Sequence, residues 1–268
     1  MPDSTGSLRR WVSACLVLLV AICGDATGAT YTVRKGDTLY DIAKRHKVTV
    51  STLMSANRIS DPTKLQIGQK LTLPSPGSSS SSSSGSVSSR IGVGKRVVID
   101  PGHGGHDYGA YYYGVRESHL NLRVAQKLES CLKQRGYSTA MTRRSDAFVS
   151  LSRRAAIANR YRGAIFVSIH FNATSNKYVR GAETFYAGSS RGRALASAIQ
   201  QQLVSKLNVR NRGVRYGRFT VLHATKCPAV LVECGFISNS SERKRCNSSS
   251  YQSTAALAIA DGIAKYRW

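Results

Sequence analysis

Three short stretches of this 268-residue chain each set a residue that binds metal or moves protons where a strand-like run gives way to a loop. They are Asp100-Pro101-Gly102-His103-Gly104-Gly105, Ser168-Ile169-His170-Phe171-Asn172 and Leu231-Val232-Glu233-Cys234-Gly235-Phe236, with Glu117 opening a helical pattern between the first two. In an open α/β sheet ligands bind in the crevice outside the carboxyl ends of the strands, so these residues, far apart in sequence, would converge there. Two imidazoles and two carboxylates gathered at one sheet edge are the makings of a zinc hydrolase. Each also has a plainer reading when taken alone: His103 in a polar glycine-rich turn, His170 as a core histidine ending the apolar run 165–169, Glu233 as an ion-pair partner for one of the many arginines. A carboxylate closing an otherwise apolar strand is nevertheless costly without a task or a partner.

The elements that would position these residues alternate along residues 95–268. Strands are expected at residues 96–100, 164–170, 182–186, 219–222 and 229–233, and helices at 118–135, 151–161, 192–206 and 251–266. Such alternation argues for an α/β fold, a twisted and mostly parallel sheet covered by helices on both faces. The helix after Glu117 repeats Leu120, Val124, Leu128 and Cys131 on one side, with Leu132 widening the stripe. Ser118 could cap that helix and Gly136 could end it. His106, His119 and His223 are left over: His106 in the loop near His103, His119 beside Glu117 and pointing elsewhere, His223 placed where it could line the cleft.

Residues 75–94 include seven consecutive serines at 78–84, a composition with nothing to bury that reads as a flexible linker. Ahead of it, residues 30–74 read as a small α+β unit. Tyr31 and Val33 alternate, Lys35-Gly36-Asp37 turns, Leu39, Ile42, Ala43 and His46 share a helical face, a second helix is expected around 50–57, and Leu71-Thr72-Leu73 returns as a strand. Residues 1–29 carry Arg9 and Arg10, an apolar run at 11–23 and small residues ending in Thr27-Gly28-Ala29, the layout of a secretory signal cut near Ala29. The run is short for a membrane span, and an uncleaved anchor helix is the alternative.

The 39 Lys and Arg against 14 Asp and Glu give a net charge of +25, which loss of residues 1–29 leaves unchanged because two basic and two acidic residues go together. A field of that sign attracts nucleic acid, anionic lipid or an acidic wall polymer. Export places nucleic acid last, and no recognised nucleic-acid motif accompanies the charge. An apolar share of 41% excludes a wholly disordered chain. Cys131, Cys227, Cys234 and Cys246 show no tight paired spacing, so free thiols and a bridge from Cys227 or Cys234 to Cys246 both stay open.

Residues 30–74 resemble a LysM module through Tyr31-Thr32-Val33, Gly36-Asp37-Thr38-Leu39, Ile42-Ala43, Leu53, Asn57 and Gly68-Gln69-Lys70-Leu71-Thr72-Leu73-Pro74. The resemblance implies a strand-helix-helix-strand unit that binds polymers containing N-acetylglucosamine, such as peptidoglycan. Its shallow groove would lie between Gly36, Asp37, Thr38 and Leu39 and the loop 57–62 with Asn57 and Ile59.

Residues 95–268 resemble the zinc-dependent N-acetylmuramoyl-L-alanine amidases of the type 3 family. His103 sits in Asp-Pro-Gly-His-Gly-Gly, Glu117 precedes Asn121-Leu122, and His170 lies in Ser-Ile-His-x-Asn-Ala. Leu151, Arg154, Ala158 and Asn159 fit a Leu-x-x-Arg then Ala-Asn helix, and residues 228–239 fit Pro-Ala-Val-Leu-Val-Glu then Gly-Phe-x-Ser-Asn. The resemblance implies that His103, Glu117 and His170 hold one Zn2+ and that Glu233 takes a proton from water and returns it to the leaving amine. The bond cut would be the amide between N-acetylmuramic acid and L-alanine of peptidoglycan, in the periplasm or cell envelope. Three protein ligands leave the position that hydrolytic zinc sites keep open.

The chain departs from the pattern at Ala164, where an acidic residue is common, and at Phe171, where alanine is. Some relatives insert a long inhibitory helix after the second histidine, and the span from His170 to Gly181 has no room for one. Activity without an activator is therefore expected. A wall peptidase using the same zinc site and a non-catalytic wall binder are the other readings.

Overall fold

The computed structural model describes residues 29–48, 50–59, 65–74, 92 and 94–268. The expected signal peptide, apart from residue 29, and the expected linker, apart from residues 92 and 94, lie outside the described residues. Among the described residues no helix is long and apolar enough to cross a membrane.

In the small unit β1 (Thr30–Thr32) pairs antiparallel with β2 (Lys70–Thr72), and α1 (Leu39–Arg45) and α2 (Val50–Ala56) come between them. The order is the strand-helix-helix-strand one expected. Thr38 caps α1, its hydroxyl accepting from Asp41 N. Val33, Leu39, Ile42, Ala43, Leu53, Leu71 and Leu73 form the core.

The larger unit runs β3 (Arg96–Pro101), a hairpin of β4 (Tyr111–Tyr112) and β5 (Val115–Arg116), α3 (Glu117–Gln134), β6 (Ser138–Met141), α4 (Leu151–Asn159) and β7 (Ile165–Asn172). It continues through β8 (Ala182–Tyr186), α5 (Ser190–Leu207), β9 (Asn211–Tyr216), α6 (Thr220–His223), β10 (Ala229–Phe236), α7 (Ser240–Cys246) and α8 (Ser249–Lys265). Among the described residues six strands form one sheet in the order β6-β3-β7-β10-β8-β9, and each neighbouring pair is parallel except β10 with β8. Because side chains alternate across a strand, Val97, Ile99, Val167, Ile169, Val230 and Val232 point to one face. There they join residues of α3, α5 and α8 in the main core. Val98, Phe166 and Leu231 point to the other face and meet Ala158 of α4 and Val221 and Leu222 of α6. The carboxyl ends of β3, β7 and β10 thereby lie side by side.

Two expectations need correction. Residues 219–222 are not a strand: Phe219 is the extended cap of the single turn α6, and its ring stands edge-on to Phe185 at 5.0 Å. Four residues of apolar alternation cannot separate a short strand from one helical turn. The place beside β8 is taken instead by β9, which like β6 is an edge strand without a continuous apolar run and escapes a reading by periodicity. Nor does Ser118 cap α3, which begins at Glu117 after Arg116 with no side-chain cap. Loop carbonyls do that job, since Glu117 N donates to Ala110 O (2.9 Å) and Ser118 N to Tyr108 O (3.1 Å). Among the described residues, Cys131, Cys227, Cys234 and Cys246 are free thiols.

Candidate metal centre

β3 leads through Gly102 to His103, whose backbone is left-handed at φ +58°. A non-glycine residue there is strained and persists only where its surroundings pin it. Two buried arginines do so. Arg143 donates to Pro101 O and Gly102 O at 2.8 Å each, and Arg154 donates to Pro101 O (2.7 Å) and His103 O (2.8 Å). Arg154 also pairs with Asp100 at 2.7 Å, with side chains 3% and 1% exposed, and Asp100 accepts from the hydroxyls of Thr142 and Ser168. An ion pair so deep is tolerable because its hydrogen-bonding capacity is met on all sides.

Glycine is required at two approaches. A Cβ on Gly102 would stand 2.1 Å from His170 Nε2, and one on Gly109, at φ +63°, would stand 2.5 Å from Glu117 Oε2.

Glu117 is 5% exposed. Its Oε2 accepts from Ala110 N (2.9 Å), while its Oε1 lies 2.8 Å from His170 Nδ1 and 3.4 Å from His103 Nε2 and accepts from Phe171 N (3.3 Å). The ligand atoms of His103, Glu117 and His170 all fall within 4.8 Å of one another. Two imidazole nitrogens and a carboxylate oxygen, brought from β3, β7 and the start of α3, are a donor set that fits zinc. The other nitrogen of His103, Nδ1, is 2.8 Å from Asp107 Oδ2, and Asp107 Oδ1 accepts from Gly109 N (3.1 Å). A carboxylate in that position fixes the ring's tautomer and direction, leaving Nε2 to face the centre. Burial opposes ionisation of Glu117, yet the two histidines hold its carboxyl far below the usual range. Burial likewise works against the charge on His103, but Glu117 and Asp107 together raise its pKa to about 9.

Glu233 stands in register with His170 across the β7–β10 pair and with Glu183 across the β10–β8 pair. It is 8% exposed, and its Oε2 has no hydrogen-bond partner among the described residues. Burial above all, then the nearby charges of Glu117 and Glu183, push its pKa well above the usual carboxylate value. Glu183 accepts from Asn172 Nδ2 (2.8 Å) and is met by Arg212 and Arg215 at 3.4 Å each. His103, Glu117, His170 and Glu233 line one cleft of about 370 Å³, walled on its apolar side by Leu151, Phe171, Phe219 and Leu231.

The remaining histidines stand apart from it. His106 lies against Phe148 with ring centres 4.2 Å apart, His119 turns to Asp146 (3.1 Å), and His223 lines an adjoining basin. In the small unit Gly36 is an exposed turn at φ +89°, and Asp37 accepts from Tyr31 Oη (2.6 Å) and Arg34 N (2.8 Å). Thr38 and Leu39 are buried, and Ile59 packs half-buried on the core. Asn57 donates to Leu53 O and exchanges hydrogen bonds with Thr72, and so ties α2 to β2. Leu39 and Asn57 are thus committed to holding the unit together.

The sequence reading passed over Asp107 and Glu183, and gave Asn172 a place in a motif but no role. Glu183 repeats the signal that marked Glu233, a carboxylate inside an apolar strand.

Residues 97–265 match the N-acetylmuramoyl-L-alanine amidase family, and residues 31–74 match the LysM domain. The uncharacterised protein YqiI of Bacillus subtilis (strain 168) is 42% identical over 176 residues, 65% of this chain and 85% of that one. The N-acetylmuramoyl-L-alanine amidase LytC of the same organism is 37% identical over 177 residues, 65% of this chain but 36% of LytC. Among solved structures, the catalytic domain of CwlV, an N-acetylmuramoyl-L-alanine amidase from Bacillus (Paenibacillus) polymyxa var. colistinus, is 38% identical with a TM-score of 0.62, covering 64% of this chain and 97% of that domain.

Proposed function

The chain belongs to the N-acetylmuramoyl-L-alanine amidase family, and from that premise we propose that it cuts the amide joining the lactyl group of N-acetylmuramic acid to L-alanine in peptidoglycan, with His103, Glu117 and His170 holding zinc. The observation that carries this reading is Glu233, a buried carboxylate with an unpaired oxygen in the same cleft as three converging ligand atoms. When bound, zinc would supply Lewis acidity to the scissile carbonyl and bring the ionisation of water to about pH 7.

The chain's own groups handle the protons. Glu233 Oε2 has no competing donor, so it is free to accept a proton from the attacking water. Having taken that proton, it would deliver it to the departing alanine nitrogen, which leaves only as the amine. Asp107 fixes the ring of His103, the Asp100–Arg154 pair fixes its backbone, and Phe171 and Leu231 limit water around the reacting amide.

The LysM unit would hold the chain on the glycan, raising the concentration of scissile bonds near the cleft. Contacts to sugar would come from the exposed Gly36 turn and the rim near Ile59 rather than from the side chains of Leu39 and Asn57. Export through the amino-terminal signal, with cleavage near Ala29, would bring the enzyme to the cell envelope. Residues 173–181 join β7 to β8 without a helix, which supports turnover without an activator.

Digestion of purified sacculi with and without a chelator, followed by mass spectrometry, tests the whole reading. The expected products are intact glycan strands and stem peptides with a new L-alanine amine, and chelation should abolish them. Cuts within the stem peptide, or digestion indifferent to chelator, would overturn it.

A further inference from the structure

The cleft does not end at Glu233. Thr220, the first residue of α6, lines both the cleft and a neighbouring basin of about 650 Å³ that is bounded by Tyr216, Arg218, Thr220, His223 and Ala224. Tyr216 is 52% exposed yet held in place, its ring edge-on to His223 at 5.9 Å and to Tyr186 at 6.2 Å, with its hydroxyl 3.4 Å from His223 Nε2.

The arginines that lead into the basin along the chain differ in how far they are engaged. Arg212 and Arg215, on the preceding strand β9, both turn to the buried Glu183. Arg218 pairs with no carboxylate among the described residues. The basin therefore offers an unengaged guanidinium together with hydroxyl and imidazole donors, a set that suits a carboxylate.

The chemistry of the scissile bond decides which arm of the substrate could bring one. In a cleavable muramoyl amide the acid group of the sugar is itself the acyl half of the bond, so its glycan side carries no free carboxylate there. Any carboxylate next to the reacting centre belongs to the peptide. We propose that Tyr216, Arg218, Thr220 and His223 form a subsite for a free carboxylate on the peptide side of the scissile amide, so that the enzyme distinguishes acidic stem peptides from amidated ones. This rests on the amidase reading.

Two soluble N-acetylmuramoyl-L-alanyl peptides, identical except that the residue after alanine is D-glutamate in one and D-isoglutamine in the other, test it with the zinc-loaded full chain. The acid should have a KM about fivefold lower at equal kcat, as expected of one partly exposed charged contact. Arg218→Gln should erase that difference by raising KM for the acidic peptide alone. The side chain is exposed, so folding should not be affected. Equal KM for both peptides in the parent enzyme, or an equal rise for both in the variant, would sink the subsite alone. Failure to cut either peptide would sink the amidase reading and the subsite with it.

Discussion

Glu117 on the α3 side of the cleft and Glu233 on the β10 side are buried to similar degrees, 5% and 8% exposed, and both close on the same small volume. Glu117 is surrounded by donors: two imidazoles, two backbone amides and the Asn121 amide. Glu233 has carboxylates for neighbours and an oxygen with nothing to accept. One carboxyl is driven toward the anion, the form a metal ligand takes, and the other away from it. Burial alone therefore does not assign a role to a glutamate; the donors within reach of it do.

The two walls of the cleft should differ most in what their loss does to the metal. Glu117→Ala should abolish stoichiometric zinc in the purified protein and reduce turnover by roughly 10³-fold or more, since several kcal/mol of transition-state stabilisation go with the metal. Glu233→Gln should retain full zinc by elemental analysis and still lose about 10²- to 10⁴-fold in turnover, the usual share of a general acid–base group. If the second variant also came out metal-free, the two walls would not be doing different jobs.

A smaller effect sharpens the picture on the ligand side. Asp107→Asn keeps the shape of the contact to His103 Nδ1 but not its charge. Zinc affinity measured by competition with a chromophoric chelator should fall about 10- to 100-fold. Unchanged affinity would mean that the carboxylate is a bystander.

The convergence of the four central residues was legible because three of them close strand-like apolar runs, β3, β7 and β10, and the fourth opens a helix with a clear stripe, whereas their roles came from the family resemblance, each having a plainer reading when taken alone. What surrounds them was less legible. Glu183 acquires its meaning only from the antiparallel register that sets it opposite Glu233, and no spacing along the chain reports a register between strands so far apart. The edge strands β6 and β9 were missed because half-exposed strands lack the apolar run that betrays a central one. In the LysM unit the motif residues Leu39 and Asn57 were placed in a sugar groove, whereas the first fills the core and the second ties α2 to β2. A motif records residues needed for the fold as well as those needed for binding, and spacing does not sort them.

The subtlest test asks whether the two glutamates affect stability with opposite sign. Glu233 has a folded pKa above its unfolded one, so between the two values the native state binds more protons than the unfolded chain and stability falls as pH rises. Glu233→Gln keeps the shape and removes the cost of taking up a proton on folding. The chelator-treated variant should be more stable than the parent at pH 7 by about 1 kcal/mol, or about 2–4 °C in Tm. That gain should fade as pH falls through the ordinary carboxylate range, where Glu233 is protonated in both states. Glu117 runs the other way: its folded pKa is depressed, so its contribution is present above the unfolded value and lost as pH falls toward the folded one. Glu117→Gln should accordingly lower Tm at pH 7 in the same metal-free background. Thermal melts of both variants at pH 7 and pH 4 check the signs, and a shift in the same direction for the two at pH 7 would erase the contrast between the walls.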